Sequence, residues 1–208
     1  MEKVLHDLRI FVKECTDGRD PSHGYEHMNR VAEISHRIWT KEVERGLFPY
    51  PPILLVMAAA LLHDVADHKY DHDGILREKV QDYVEKDPRL NPYCAGLMWI
   101  IDNVSWSKEK RCNGANLAKR AGSLVGYARD IVSDADKSTA LGTEGYERCK
   151  KYAEETLGLK DASKVAQHIK EHADEKLLRL LPGGYFKTAS GRDLAQQLHD
   201  ELVEILGM

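Results

Sequence analysis

The sequence is poor in cysteine, and its few cysteines form no framework. Among its 208 residues there are four, none of them in a CxxC pair: Cys15, Cys94, Cys112 and Cys149. Scattered cysteines argue against a disulfide scaffold and against a closed structural zinc site. We therefore expect reduced thiols and a cytoplasmic protein.

A hydrophobic run long enough to cross a bilayer is also missing. The longest apolar stretch, Ile53–Leu62, has 10 residues, whereas a spanning helix needs about 20. The opening MEKVLHDLRIFVKEC is charged and amphipathic, so we expect no secretory signal there. No membrane partner is predicted.

The chain has no excess of positive charge. Its 30 Lys and Arg residues stand against 34 Asp and Glu residues, which gives a net charge of −4. Such a chain lacks the general basic field that holds nucleic-acid polymers, and we expect no partner of that kind. Binding of a small anion in a local basic pocket is still compatible with this composition.

Strand-like alternation of apolar and polar residues is absent, and apolar residues recur at helical spacing instead. Ser22 is the predicted N-cap of the second helix. A third helix is predicted to begin at Pro51-Pro52 and to end near Ala66. Further helices are predicted at about 74–86, 91–104, 123–141, 143–157, 162–181 and 188–206.

Two segments are predicted to be loops. One is PGGYFKTASGR, and the other is the polar, basic segment 105–121, which is typical of a long loop or lid. With 42% hydrophobic and 31% charged residues, the composition is that of a folded globular protein. The interpretation is an all-α fold in a single domain, residues 1–208.

Four polar residues interrupt the apolar faces of these helices. His27 precedes Val31 at i+4 and so faces the core, and His63 continues the apolar stripe of the third helix. Asp64 directly follows His63, and Asp136 lies between apolar residues at i−4 and i+4. Buried charge is unfavourable unless something compensates it.

A bound divalent cation would explain these four residues together. Two His and two Asp suit Mn²⁺, Fe²⁺, Co²⁺, Ni²⁺ or Zn²⁺, and such an ion activates water and polarises phosphoryl oxygens. Simpler explanations stay open at this stage. His27 would be a hydrogen-bonded core histidine, His63 and Asp64 a hydrogen-bonded pair, and Asp136 the partner of a core Lys or Arg.

The segments SHGYEHMNRV, AALLHDVADHKY and IVSDADKSTALG resemble, in order, the H…HD…D pattern of the HD-domain metal-dependent phosphohydrolases. The tail HIKEHADEKLLRLLPGGYFKTASGRDLAQQ is similar to that of a small bacterial subgroup, some of whose members are nucleotide pyrophosphohydrolases. The resemblance implies a helical bundle, with a metal-site core at about 20–141 and helices at 143–207 completing the substrate pocket.

By this resemblance His27, His63, Asp64 and Asp136 match the metal ligands. One divalent cation is implied; Mn²⁺ is favoured, with Fe²⁺, Co²⁺, Ni²⁺, Zn²⁺ and Mg²⁺ as alternatives. Asp67 matches an acidic residue that is often Glu in the family, and it lies at i+4 from His63. We expect Asp67 to act as a general base or to orient the water, so that Asp67, His63 and Asp64 form the catalytic group.

Anion-binding residues are predicted around this group. His23 belongs to the first motif and is assigned to substrate or to the ligands' outer contacts. The other predicted substrate-binding residues carry donors that suit phosphate: His68, Lys69, Lys176, Lys187 and Arg192. A solvated surface position is the alternative for each. The basic residues Lys108, Lys110 and Arg111 are predicted either to close over substrate or to form a plain solvated loop.

The predicted function is metal-dependent hydrolysis of nucleotides or related small phosphate esters and anhydrides, with a nucleoside triphosphate pyrophosphohydrolase favoured. A monophosphate phosphatase, a cyclic nucleotide phosphodiesterase and a non-catalytic metal- or nucleotide-binding protein are alternatives. A homodimer is left open. Asp71, His72 and Asp73 are predicted to form an exposed turn rather than the rim of the site.

Overall fold

The computed structural model describes residues 1–20, 23–46, 49–111 and 123–208. Its α-helices are α1 Glu2–Cys15, α2 Tyr25–Glu44, α3 Ile53–Leu62, α4 Ile75–Lys86, α5 Cys94–Asn103, α6 Trp106–Arg111, α7 Ser123–Ser138, α8 Gly142–Lys151, α9 Ala162–Glu175 and α10 Ala189–Ile205. No strand occurs in these described ranges, so the all-α prediction is confirmed. The predicted N-cap Ser22 and residues 112–122 lie outside them.

The contacts group the chain into two compact units, Met1–Ser133 and Asp134–Met208. In the first unit α3 packs against α1, α2 and α5, and in the second α8 packs against α9 and α10. The prediction of one domain over residues 1–208 stays a prediction. Within the described ranges, none of the helices combines the length and the hydropathy that a membrane crossing requires.

The sequence of α3 explains its place in the first unit. ILLVMAAALL carries no polar residue, and a helix that is apolar on all sides is stable only when it is surrounded. All residues from Leu55 to Leu62 are buried. The chain that leaves the end of α3 therefore starts from the interior of the unit.

The prediction that the third helix continues to Ala66 is wrong. The α-helix ends at Leu62, and the chain continues through tight i→i+3 turns, in which Val65 N–H donates to Leu62 O and Asp67 N–H to Asp64 O, both at 3.1 Å. Beyond Leu62, polar side chains and a charged partner are available to bond the backbone N–H and C=O groups. They compete with the hydrogen bonds that a continued helix would make. His63 and Asp64 thus lie on a turn.

The exposed turn predicted at 71–73 is confirmed for His72 and Asp73, whereas Asp71 is half-buried. Both aspartates cap α4. The Asp71 carboxylate accepts hydrogen bonds from the backbone N–H groups of Leu76 and Arg77, each at 2.9 Å, and Asp73 accepts one from Ile75 at 3.2 Å. These are donors of the first turn that have no partner inside the helix. The carboxylates of this turn therefore serve the helix start.

The prediction of a loop throughout 105–121 is wrong for its first part, because residues 106–111 form α6. An ion pair inside the first unit holds this short helix against α7. Arg129 and Glu109 are 1% and 3% exposed, and Arg129 Nη1 donates to Glu109 Oε1 at 2.5 Å. Lys108, Lys110 and Arg111 lie on this helix rather than on a loop.

The prediction of a loop throughout PGGYFKTASGR is wrong for its last four residues, which belong to α10. In the second unit a buried carboxylate holds the end of the remaining loop, residues 187 and 188. Asp134 is fully buried and accepts hydrogen bonds from Lys187 N–H at 2.9 Å, from Thr188 N–H at 2.7 Å and from the Thr188 hydroxyl at 2.8 Å. A Cβ on Gly191 would lie 2.3 Å from Asp134 Oδ2, so this contact requires glycine. Burial raises the pKa of Asp134 to about 6, although Lys137 and the N–H donors lower it.

We expect Asp134→Asn to lower the free energy of unfolding by about 2 to 4 kcal/mol. The amide NH₂ would face N–H donors and leave at least one of them buried without an acceptor. Urea unfolding followed by circular dichroism measures the change, and Glu154→Gln, at an exposed site, is the control. If Asp134→Asn lowers the free energy of unfolding no more than Glu154→Gln does, the Asp134 carboxylate does not stabilise the loop as described.

Candidate metal centre

Three side chains of the first unit meet at the end of α3. His27 comes from α2, His63 directly follows α3, and Asp64 is the next residue. Each offers one nitrogen or oxygen, and these atoms all lie within 4.8 Å of one another. His27 is 7% and His63 4% exposed, whereas the Asp64 side chain is 19% exposed. The cluster therefore has imidazoles on its buried side and a carboxylate nearer to solvent.

The distances within the cluster exceed those of direct hydrogen bonds. Asp64 Oδ2 lies 3.7 Å from His27 Nε2 and 3.6 Å from His63 Nε2, whereas N–H···O bonds are about 2.7 to 3.2 Å long. The two imidazole rings meet edge to face, with centroids 5.2 Å apart. A direct His63–Asp64 hydrogen bond, the simpler explanation of this pair, does not describe the observed spacing.

The backbone fixes which nitrogen of His63 faces Asp64. His63 Nδ1 lies 2.8 Å from Ala60 O, and a carbonyl oxygen accepts only from a protonated nitrogen. Neutral His63 is therefore the Nδ1–H tautomer, with its lone pair on Nε2, the nitrogen that faces Asp64. A carbonyl partner of this kind orients metal-binding imidazoles.

The residues present fit a divalent cation. Two imidazoles and a carboxylate converge, and two of their acceptor atoms face each other at 3.6 Å. A cation between such acceptors would remove their mutual repulsion. The mixed nitrogen and oxygen donors, without a thiolate, suit Mn²⁺, Fe²⁺, Co²⁺, Ni²⁺ or Zn²⁺ better than a closed structural zinc site.

Arg19 supports the turn that carries Asp64, a role that could not be predicted from the sequence. Its guanidinium donates to Asp64 O at 2.9 Å and to Val65 O at 2.6 Å. The same group lies over the ring of Tyr70, 4.3 Å from its centroid. In the segment TDGRDPSHG the residue is simply a loop arginine, because nothing local shows a bond to a residue 45 positions away.

Asp67 is not among the residues whose donor atoms lie within 4.8 Å of one another. Its Oδ1 accepts the backbone N–H of Lys69 at 2.8 Å and lies 3.4 Å from His68 Nδ1. The first contact is an Asx turn, which fixes the carboxylate relative to its own backbone. The Asp67 side chain is 20% exposed and thus within reach of water.

His23 and Lys69, two of the predicted substrate-binding residues, are in contact. Lys69 Nζ lies 3.1 Å from His23 Nε2, and His23 Nδ1 lies 3.2 Å from Asp20 Oδ2. The hydroxyl of Tyr70 donates to the same Asp20 carboxylate, and this bond raises the pKa of Tyr70 to about 12. Asp20 and Tyr70 were missed because they are 50 positions apart in the sequence and only the fold brings their side chains together.

The other predicted anion-binding residues are arranged differently. The His68 side chain is 87% exposed. In the second unit Lys187 Nζ donates to Gly184 O at 2.8 Å, and Arg192 Nη1 donates to Lys187 O at 2.8 Å. Both cations thus bond the backbone of the loop that Asp134 holds. Lys176 directly follows α9, and its charge adds to the effect of burial in lowering the pKa of His172.

Asp136, the fourth predicted ligand, belongs to the second unit and is partly buried on α7. Its backbone carbonyl accepts a hydrogen bond from the Thr139 hydroxyl at 2.8 Å. Asp134, two residues earlier, has its carboxylate surrounded by donors. The role of Asp136 as a ligand stays a prediction.

Comparison with known structures identifies the fold. YpgQ of Bacillus subtilis, solved in complex with ADP, is 22% identical, with 99% of this chain and 93% of that chain covered and a TM-score of 0.70. An HD-superfamily hydrolase from Bacillus thuringiensis is 20% identical, with 99% and 94% covered and a TM-score of 0.66. This chain shares its all-α fold with these two proteins. The fold expected from the sequence resemblance is therefore confirmed.

Comparison of sequences finds a relative along nearly the whole chain. YpgQ of Bacillus subtilis, described as uncharacterized, is 27% identical over 207 residues, which cover 98% of this chain and 91% of that protein. No protein-family model matches the sequence. A protein from Lactobacillus plantarum has a similar structure, with 22% identity, 100% and 95% of the two chains covered and a TM-score of 0.69.

We predict that His63 is the Nδ1–H tautomer in metal-free protein. Long-range ¹H–¹⁵N NMR at about pH 8, where free imidazole is neutral, should show a protonated Nδ1 and an unprotonated Nε2. The exposed His68 is the internal comparison and should show averaged tautomers. A protonated Nε2 at His63 would contradict the hydrogen bond from Nδ1 to Ala60 O.

Proposed function

We propose that the chain is a metal-dependent phosphohydrolase acting on nucleotides or related small phosphate esters and anhydrides. The cluster of His27, His63 and Asp64 carries this proposal, because its donor atoms converge within 4.8 Å at the end of a buried helix. The fold shared with an HD-superfamily hydrolase supports the reaction class. The ADP complex of YpgQ supports a nucleotide as the ligand.

In this proposal His27, His63, Asp64 and Asp136 hold one divalent cation, with Mn²⁺ favoured. Such an ion supplies two effects, a lower pKa of coordinated water and polarisation of a phosphoryl oxygen. The contact of His63 Nδ1 with Ala60 O at 2.8 Å keeps Nε2 available as a donor to the ion. Burial of the two imidazoles limits competing solvent.

Asp67 is the proposed general base. Its Asx turn with Lys69 fixes the carboxylate through Oδ1, and its partial exposure gives attacking water access to it. The carboxylate would take a proton from the water as the new P–O bond forms and the bond to the leaving oxygen breaks.

Lys69 and His23 are the proposed anion-binding pair. The Lys69 ammonium contacts His23 Nε2, and Asp20 holds the other side of the imidazole. This arrangement orients a positive charge next to the turn that carries Asp67, where it would neutralise charge on a departing phosphate. His68, Lys176, Lys187 and Arg192 are weaker candidates, since His68 is largely in solvent and two of the others bond loop carbonyls.

Within this class we favour hydrolysis of nucleoside triphosphates to monophosphate and pyrophosphate, because the tail of the sequence resembles the pyrophosphohydrolase subgroup. A panel of mono-, di-, tri- and cyclic nucleotides with Mn²⁺ tests this preference. Pyrophosphate from triphosphates supports it, whereas phosphate from monophosphates or ring opening of cyclic nucleotides supports the other enzymes. Metal binding without any turnover supports a binding protein.

We expect His63→Ala and Asp64→Ala to fold but to lose bound metal, because each removes one donor of the cluster. Elemental analysis and isothermal titration with Mn²⁺ measure the loss, and circular dichroism checks the fold. His36→Ala, at an exposed position of α2, is the matched control and should bind as the wild type does. Unchanged Mn²⁺ affinity in both variants would exclude this cluster as the metal site.

For Asp67→Asn we predict a fall in kcat of about 10²- to 10⁴-fold, the usual contribution of a general base. Mn²⁺ affinity should stay near the wild-type value, because Asp67 lies outside the ligand cluster. Asp82→Asn, on the exposed face of α4, is the control. If Asp67→Asn has the wild-type kcat, Asp67 is not the general base.

A further inference from the structure

We propose that Arg19 is a positioning residue of the metal centre, acting on the backbone that presents Asp64. This inference rests on the proposed function, because it concerns the same metal site. Arg19 is not among the residues that the HD pattern identifies, and its guanidinium bonds main-chain oxygens rather than a ligand side chain. It would therefore act through the turn.

The contacts of Arg19 fall on the part of the chain where regular structure ends. After Leu62 the α-helix stops, so the carbonyl groups of Asp64 and Val65 lie beyond its last residue, where Asp64 O accepts only the turn bond from Asp67 N–H among the backbone hydrogen bonds described for it. Arg19 donates to both, at 2.9 and 2.6 Å. Two bonds from one planar guanidinium to consecutive carbonyls fix the orientation of the peptide between them.

A second set of contacts holds Arg19 itself. Its guanidinium lies over the Tyr70 ring at 4.3 Å, and the Tyr70 hydroxyl donates to Asp20, the residue next to Arg19. The loop before α2 and the turn after α3 are thus joined by several contacts. Cation–π contact and the hydrogen bond restrict the arginine to the rotamer that reaches both carbonyls.

These contacts of Arg19 control the position of Asp64. Its Oδ2 lies 3.6 and 3.7 Å from two imidazole nitrogens that belong to different segments. Metal–ligand distances tolerate changes of only about 0.2 Å, so a turn that moved freely would hold the carboxylate out of range for part of the time. The imidazole of His63 has its own anchor at Ala60 O, but Asp64 depends on the path of the turn.

The test compares Arg19→Ala, Arg19→Lys and wild type by titration with Mn²⁺ alone and by thermal unfolding without metal. Arg19→Ala should bind Mn²⁺ about 10- to 100-fold more weakly, as is usual when support of a ligand is lost. Arg19→Lys should show a smaller loss, because an ammonium cannot bond both carbonyls in the planar geometry of a guanidinium. Arg37→Ala, at an exposed position of α2, controls for removing an arginine and its charge.

The outcomes separate this inference from the proposed function. A lower melting temperature of metal-free Arg19→Ala with wild-type Mn²⁺ affinity would overturn it, because Arg19 would then serve the fold alone. If Arg19→Ala does not fold, Arg19→Lys decides, and wild-type affinity in that variant overturns the inference. Absence of Mn²⁺ binding in the wild type would refute the metal site itself, and the role of Arg19 with it.

Discussion

The site depends on a polar turn that follows directly from a completely apolar helix. α3 is buried on all sides, so the chain that leaves it begins inside the first unit. There it presents His63 and Asp64, whose acceptor atoms would repel each other in a dry environment unless a cation or a proton lay between them. The burial of α3 thus brings the polar side chains of His63 and Asp64 together at the edge of the interior of the first unit.

The turn itself is held by charged partners rather than by regular structure. Arg19 bonds two of its carbonyls, the Asp67 side chain bonds Lys69 N–H, and Asp71 bonds the first N–H groups of α4. Each contact satisfies backbone groups that the end of one helix and the start of the next leave open. Asp67 and Asp71 therefore have different structural roles, although they lie in one acidic segment of the sequence.

Much of the fold and part of the site could be predicted from the sequence, and the reasons differ from residue to residue. Helical spacing placed His27 and His63 on buried faces, because that inference needs only the local period of the chain. The end of α3 was missed, since no Gly or Pro marks Leu62 and the arginine that bonds the turn lies far away in sequence. α6 was missed because its stability depends on the buried pair of Glu109 with Arg129, and polar composition alone is typical of a loop.

Two aspartates on α7 show how the environment separates residues that look alike in sequence. Asp134 is fully buried and accepts bonds from two backbone N–H groups and a hydroxyl, so its lone pairs are already used to hold the loop before α10. A metal ion would have to displace those bonds and leave buried donors without acceptors, at a cost of about 1 to 3 kcal/mol for each. Asp136 is only partly buried, and a carboxylate that keeps access to water exchanges its partners at a lower cost. Of these two carboxylates, Asp134 therefore maintains the shape of the second unit, while the role of Asp136 as a metal ligand stays a prediction.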